Sequence, residues 1–181
     1  MNSTKRREEV PAGNILAKAV KLKNMNSKTI KNSKIMSVII QPLTGIINDG
    51  KEIKFGITQK ELKKILGEAP KIEIDNIMDE IREYRLGMIF TFIEKKLSDI
   101  TFSLHVDDLC FESINIFQDE SVISKLSQYD TPTQESKGGY INFYELGISL
   151  GGFGKRKIPE KKLVTVFPKE RTRFYECFLK V

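Results

Sequence analysis

The chain has 181 residues, a 40% hydrophobic fraction and a formal net charge of +6. That suffices for one ordinary domain or two small tandem halves, and no stretch approaches the roughly 18 apolar residues that span a bilayer. The charge is blocky: residues 1–35 hold nine Lys/Arg against two Asp/Glu, residues 36–154 hold 12 against 19, and residues 155–181 hold nine against three.

Basic character therefore sits at the two ends, and the middle is acidic. A basic end suits nucleic acid or an acidic surface. An acidic folded middle repels nucleic acid and suits a basic protein partner. Residues 1–35 lack aromatics and are rich in Lys, Asn and Ser, with one apolar stretch from Ile15 to Val20. They read as a disordered basic tail, 1–35, ahead of a single domain, 36–181. Lys5, Arg6 and Arg7 are followed by no apolar run, so no secretory signal is expected. The two cysteines, Cys110 and Cys177, make no disulfide framework and read as reduced thiols of a cytoplasmic protein.

From Met36 the texture changes to Val38, Ile39, Ile40 and Leu43. Lys51–Phe55 alternates charged and apolar residues and predicts a strand ending at Gly56. Thr58-Gln59-Lys60-Glu61 is a capping box. It opens a helix with Leu62, Ile65 and Leu66 on one face, stopped by Gly67 and Pro70. Residues 75–82 are ambiguous, because Ile74, Ile77, Met78 and Ile81 have helical spacing. Tyr84, Leu86, Met88, Phe90 and Phe92 then alternate, as a strand or a hairpin about Gly87 requires. Glu94-Lys95-Lys96 is a polar turn, and Ile100, Phe102 and Leu104 alternate again.

The second half runs the same way. Phe111–Phe117 reads as a strand, and Asp119 as the cap of a helix carrying Val122, Ile123 and Leu126. Asp130-Thr131-Pro132 ends that helix. Tyr140, Tyr144, Leu146, Ile148 and Leu150 alternate before a loop, 151–162, and a last strand, Leu163–Phe167. Tyr84-x-Leu86-Gly87-Met88 followed by Glu94-Lys95-Lys96-Leu97 thus recurs as Tyr144-x-Leu146-Gly147-Ile148 followed by Glu160-Lys161-Lys162-Leu163. A doubled pattern means a doubled unit. The expected fold is α+β: two strand-helix-strand-strand-strand repeats, about 50–105 and 111–168, forming an antiparallel sheet with helices on one face.

Nothing in the chain reads as a catalytic constellation, and no cofactor or metal is expected. His105-Val106-Asp107-Asp108-Leu109-Cys110 holds metal-ligand types without a second ligand pair at the usual spacing; a turn is the simpler reading. Gly151-Gly152-Phe153-Gly154-Lys155-Arg156-Lys157 lacks the P-loop spacing and its Ser/Thr and reads as a basic hairpin loop. Acidic residues cluster at Asp75, Asp79, Glu80 and Glu83, and at Asp107, Asp108 and Glu112. As functional groups these suit binding of a basic partner better than acid–base catalysis.

Phe55-Gly56-Ile57-Thr58-x-x-Glu61-Leu62-x-x-Ile65-Leu66-Gly67-x-x-Pro70 resembles the opening of the SmpA/OmlA and beta-lactamase-inhibitory-protein superfold. The tandem duplication is similar to that of the two-repeat inhibitory protein. The later Tyr-x-x-Gly pattern with its Lys-Leu strand resembles bacterial immunity proteins that neutralise contact-dependent or polymorphic toxins. The likeness spans roughly residues 50–167. It implies a cytoplasmic immunity protein, not an enzyme, that binds a cognate toxin domain, with a nuclease suiting the acidic middle. The alternative is a nucleic-acid-associated protein using Lys5, Arg6, Arg7, Lys155, Arg156 and Lys157.

Overall fold

The structure is a computed structural model that describes residues 37–77 and 79–177. By its contacts the chain divides into two units, Met1–Lys34 and Ile35–Val181, and the second carries every described residue. The tail, with Lys5, Arg6 and Arg7, lies outside the described residues.

The domain is α+β. It opens with a three-stranded meander: β1 (Ser37–Gln41), β2 (Gly45–Asn48) and β3 (Lys51–Lys54). Helix α1 (Gln59–Leu66) follows with its capping box formed, the Thr58 side chain accepting from the Glu61 amide and Glu61 Oε2 accepting from the Thr58 amide at 2.7 Å. Leu62 is its buried residue. Then come β4 (Lys71–Asp75), β5 (Glu80–Arg85), β6 (Met88–Ile93) and β7 (Lys96–Ser103). The second half holds β8 (Asp108–Phe111), β9 (Ile114–Asn115), the short helix α2 (Val122–Leu126), β10 (Tyr140–Phe143), β11 (Ile148–Gly151) and β12 (Leu163–Val166). A 3-10 turn, Lys169–Arg171, leads into α3 (Thr172–Cys177).

The doubled sequence pattern is a doubled meander. β5-β6-β7 and β10-β11-β12 join through β7 and β12 into a seven-stranded antiparallel sheet, ordered β10-β11-β12-β7-β6-β5-β4. At the joint Thr101 stands opposite Thr165, with their hydroxyls 3.0 Å apart. A second sheet, β3-β2-β1-β8-β9, contains a parallel pair, β1 with β8. Val38, Ile46 and Leu109 from this sheet form one buried cluster with Phe90, Phe92, Ile100, Phe102 and Val164 from the long sheet, together with Leu62 and Leu126 of the helices. Helices therefore share the inner face of the long sheet with a second sheet. One meander face could not be covered by two short helices alone, and stacking a second sheet on it removes the remaining apolar area from water.

Three local expectations change. Ile74, Ile77 and Ile81 do not belong to a helix: Ile74 and Ile81 face each other across the β4–β5 ladder. Their helical spacing arises because a seven-residue separation also bridges a hairpin of this length. Phe111–Phe117 is not one strand but the β8–β9 hairpin, turned at Glu112 with φ 51°. Asp119 does not cap α2. Its Oδ1 accepts from the Ser121 amide and hydroxyl at 2.9 and 2.7 Å, closing an Asx turn one step before the helix.

The outer face of the long sheet is polar, with Asn142, Ser149, Thr165 and Thr101 in one row across four strands. Helix α3 lies against this face. Tyr175 stacks on Phe167 with ring centroids 4.0 Å apart, and its hydroxyl donates to Asp99 Oδ1 at 2.7 Å. Burial and the Asp99 carboxylate push the Tyr175 phenol well above its ordinary range.

Candidate protein-docking edge

The two ends of the long sheet are finished differently. At β10 the chain covers its own edge: Thr133 donates its amide to Asn142 O at 3.0 Å, and Ser136 donates its amide to Tyr140 O at 2.8 Å. At the other end β4 is the last strand. Among the described residues no further strand joins the sheet beyond it. An open edge presents a row of unmatched N–H and C=O groups, the usual template for another chain.

The side chains along β4 sort by face. Ile72 and Ile74 stand on the core side of the sheet but beyond the part that the second sheet and the helices cover, and are 48% and 64% exposed. Ile77, in the turn that follows, is 94% exposed. Lys71, Glu73 and Asp75 occupy the opposite side. Glu73 accepts from Tyr84 Oη and pairs with Lys71. Those contacts, that from Lys71 the larger, hold its carboxyl below the usual range. Asp75 Oδ1 accepts from the Ile77 amide at 2.9 Å. Glu73, Ile74, Asp75, Ile77, Glu80 and Arg82 rim an open hollow of about 570 Å³ at the hairpin end.

The structure gathers three of the acidic residues singled out by sequence. Asp75 stands directly opposite Glu80 across the ladder, and Asp79 lies in the connecting turn with φ 48°. Like charges in opposed positions destabilise a sheet by a few tenths of a kcal/mol or more. Arg82 answers part of that charge by pairing with Glu80.

Glu83 must be withdrawn from that set. It faces Phe90 on the core side, and its side chain is 4% exposed. Glu83 Oε2 accepts from Arg85 Nη2 at 2.7 Å and Nε at 3.1 Å, while Glu83 Oε1 accepts from Gln59 Nε2 at 3.0 Å. Arg85 then donates to the carbonyls of Leu66, Gly67 and Glu68. The pair clamps the end of α1 to the sheet, so the Glu83 carboxylate is engaged within the fold.

Asp107, Asp108 and Glu112 belong to the other sheet. Asp108 Oδ1 takes the Cys110 thiol at 3.3 Å and Asn115 Nδ2 at 3.5 Å, and Asn115 also donates to Asp107 O. These groups shape the β8–β9 hairpin. Burial first, then Asp108, pushes the Cys110 thiol up to about 11, which keeps it protonated at neutral pH and a poor nucleophile.

The Gly-rich basic loop is engaged internally. Glu135 accepts from the amides of Lys155 and Arg156 at 3.0 and 2.8 Å, so a carboxylate of the chain itself occupies the place of a bound anion. Those bonds, with Arg156 the largest contribution, hold the Glu135 carboxyl below its usual range. Phe153 stacks on Phe117 with Lys162 over its ring.

Comparison with known proteins returns no match: no family model, no curated protein and no solved structure is similar to this chain. Among the described residues no helix is long and apolar enough to cross a membrane, and no group of three or more His, Cys, Asp or Glu is placed to hold a metal ion.

Proposed function

We propose that this chain is a bacterial immunity-type inhibitor: it binds a cognate toxin domain in the cytoplasm and neutralises it by occupancy, not by turnover. The observation that carries the reading is the open β4 edge, where exposed isoleucines lie beside an acidic hairpin end. An apolar strip with a charged rim is the composition of a protein interface. The acidic residues Glu73, Asp75, Asp79 and Glu80 favour a basic partner and would speed its encounter. A toxin that grips nucleic acid carries such a basic surface. The resemblance of the repeats to immunity proteins points the same way.

The nucleic-acid alternative draws on Lys5, Arg6, Arg7, Lys155, Arg156 and Lys157, and among the described ones the Arg156 guanidinium already donates to the Lys137 carbonyl. That observation favours the protein partner.

The test is co-expression with the product of the adjacent upstream reading frame, scored by growth and by recovery of a complex. Growth arrest that this chain relieves, with a stable complex, is the expected result. A harmless neighbour, or arrest that a folded chain fails to relieve, would overturn the immunity reading.

A further inference from the structure

We propose that the cavity between α3 and the outer face of the long sheet is a binding site for a neutral sugar ring. The site stands apart from the immunity reading, since no residue of β4 takes part in it.

The cavity has a volume of about 360 Å³. That lies in the range of small-ligand sites, about 300–1,000 Å³, and is on the order of ten times one water's share of the liquid. Its floor is the polar row of the outer face: Asn142 opposite Ser149, Ser149 opposite Thr165, and Thr165 opposite Thr101. Helix α3 forms the facing wall with Phe174 and Tyr175, whose rings meet edge to face at 5.4 Å. Tyr140 forms a side wall. It stands opposite Gly151, and its ring lies over that glycine: a Cβ there would come within 2.7 Å of Tyr140 Cε1.

Asn142 carries the requirement for a ligand. It is 1% exposed. Its Nδ2 donates to Tyr144 Oη at 3.2 Å and to the Tyr175 carbonyl at 3.5 Å. A carbonyl only accepts, which fixes the amide with its nitrogen on that side. Oδ1 is turned the other way and is buried with no hydrogen-bond partner among the described residues. Burying an acceptor unmatched is unfavourable, and a ligand O–H seated in the cavity removes that penalty.

The remaining chemistry selects the class of ligand. Thr101 and Thr165 share one hydrogen bond between their hydroxyls at 3.0 Å, which uses one of their two hydrogens. The row therefore offers an acceptor at one end and groups able to donate or accept at the other, set about 4.8 Å apart from strand to strand. A nucleobase gathers its donors and acceptors close together on one edge. A sugar ring carries hydroxyls around its circumference, each both donor and acceptor, and turns an apolar C–H face to aromatic walls. The spread row and the rings of Tyr140 and Phe174 match the sugar. Arg82, the charged residue of the lining, is paired with Glu80, so the site favours a neutral ligand over an anion.

The probes are the methyl glycosides of glucose, galactose, mannose and N-acetylglucosamine, with adenosine and cytidine as flat heterocyclic controls. Each is titrated into the full chain up to about 20 mM, where a site with a Kd of about 1 mM is nearly saturated. Amide shifts are followed by NMR. At least one glycoside is expected to shift β10, β11, β12 and α3 in a saturable way, with neither nucleoside doing so. Thr165→Val deletes a hydroxyl at nearly constant shape, and Tyr140→Leu deletes the aromatic wall. Each should weaken the best-bound glycoside about tenfold while the amide spectrum remains that of the folded chain. Ser149→Leu fills the cavity from its floor and should abolish binding without lowering the melting temperature. No saturable shift with any glycoside would show a cavity that holds water alone and would overturn the proposal. Tighter binding of a nucleoside, shifts confined to other elements, or unchanged affinity in the folded variants would overturn it equally.

Discussion

The buried Glu83–Arg85 pair is the most consequential set of charges in the described structure. Arg85 satisfies the carbonyls of Leu66, Gly67 and Glu68 at the end of α1, and Glu83 neutralises Arg85. Removing one partner leaves a buried uncompensated charge, which costs about 3–5 kcal/mol. Arg85→Ala is therefore expected to lower the urea midpoint severely with little change in slope. The joint replacement Glu83→Leu/Arg85→Met should recover much of the loss, apart from the α1 carbonyls it leaves uncapped. Thr58→Ala, which deletes one half of the capping box, should cost about 1 kcal/mol in the same denaturation experiment. The cysteines give a chemical check. Cys177 is exposed, whereas Cys110 is half-buried with its thiol raised to about 11. A thiol reagent at neutral pH should label one site quickly and the second only on unfolding. Equal labelling rates would contradict the burial of β8.

Acid stability belongs to the same scale. Asp119 is held down at about 2, first by Lys125, then by the Ser121 hydroxyl and amide. A depressed carboxylate contributes stability that is fully present above its unfolded value, near 3.8, and disappears as pH falls through about 2. Asp119→Asn should therefore lower stability at pH 7 and have a shrinking effect towards pH 2, followed as the midpoint of thermal melts across that range.

At the scale of elements, turns explain both what could be read from the chain and what could not. The capping box, the Gly67 stop and the Gly87 hairpin were legible because each has a local chemical signature. The β4–β5 hairpin was not: its turn, around Asn76 and Asp79, lacks Gly, and its isoleucines mimic a helical face. The candidate acids Asp75, Asp79 and Glu80 were legible as a cluster, but Ile72 and Ile74 were not legible as exposed. Exposure depends on where the second sheet stops, a tertiary fact with no local mark. Glu83 failed for the converse reason, since burial of a charge depends on Arg85 and α1 meeting over it. The Glu94-Lys95 turn was read correctly as a turn, yet both residues adopt positive φ, 50° and 64°. That conformation favours Asn-Gly, so Glu94→Asn/Lys95→Gly should raise stability by about 1 kcal/mol, measured by chemical denaturation. A loss of stability would show that the Glu94 or Lys95 side chain holds the β6–β7 hairpin.

For the whole molecule, duplication was the strongest signal in the sequence and is the strongest feature of the fold. It did not announce the second sheet, because β1-β2-β3 and β8-β9 share no repeated motif. The two meanders meet at β7 and β12, so neither has an independent inner face, and both contribute to one core. The domain should therefore melt in a single transition by calorimetry. Gly147, in the β10–β11 turn, is a sensitive point of the second meander, with φ 63° and the Phe167 carbonyl 2.2 Å from where a Cβ would stand. Gly147→Ala should lower the temperature of the whole transition, without splitting off a separate melt of the second meander.

The unequal finishing of the sheet ends sets a count. Among the described residues β10 is covered by residues 133–136 while β4 ends the sheet with no further strand beside it, so the described part of a molecule built from two similar halves offers one terminal strand for pairing and not two. On the proposed reading each copy removes a single toxin molecule from action and is itself consumed in doing so. Protection would then behave as a titration: a cell would tolerate toxin up to the number of chains it holds, and fail sharply beyond that number.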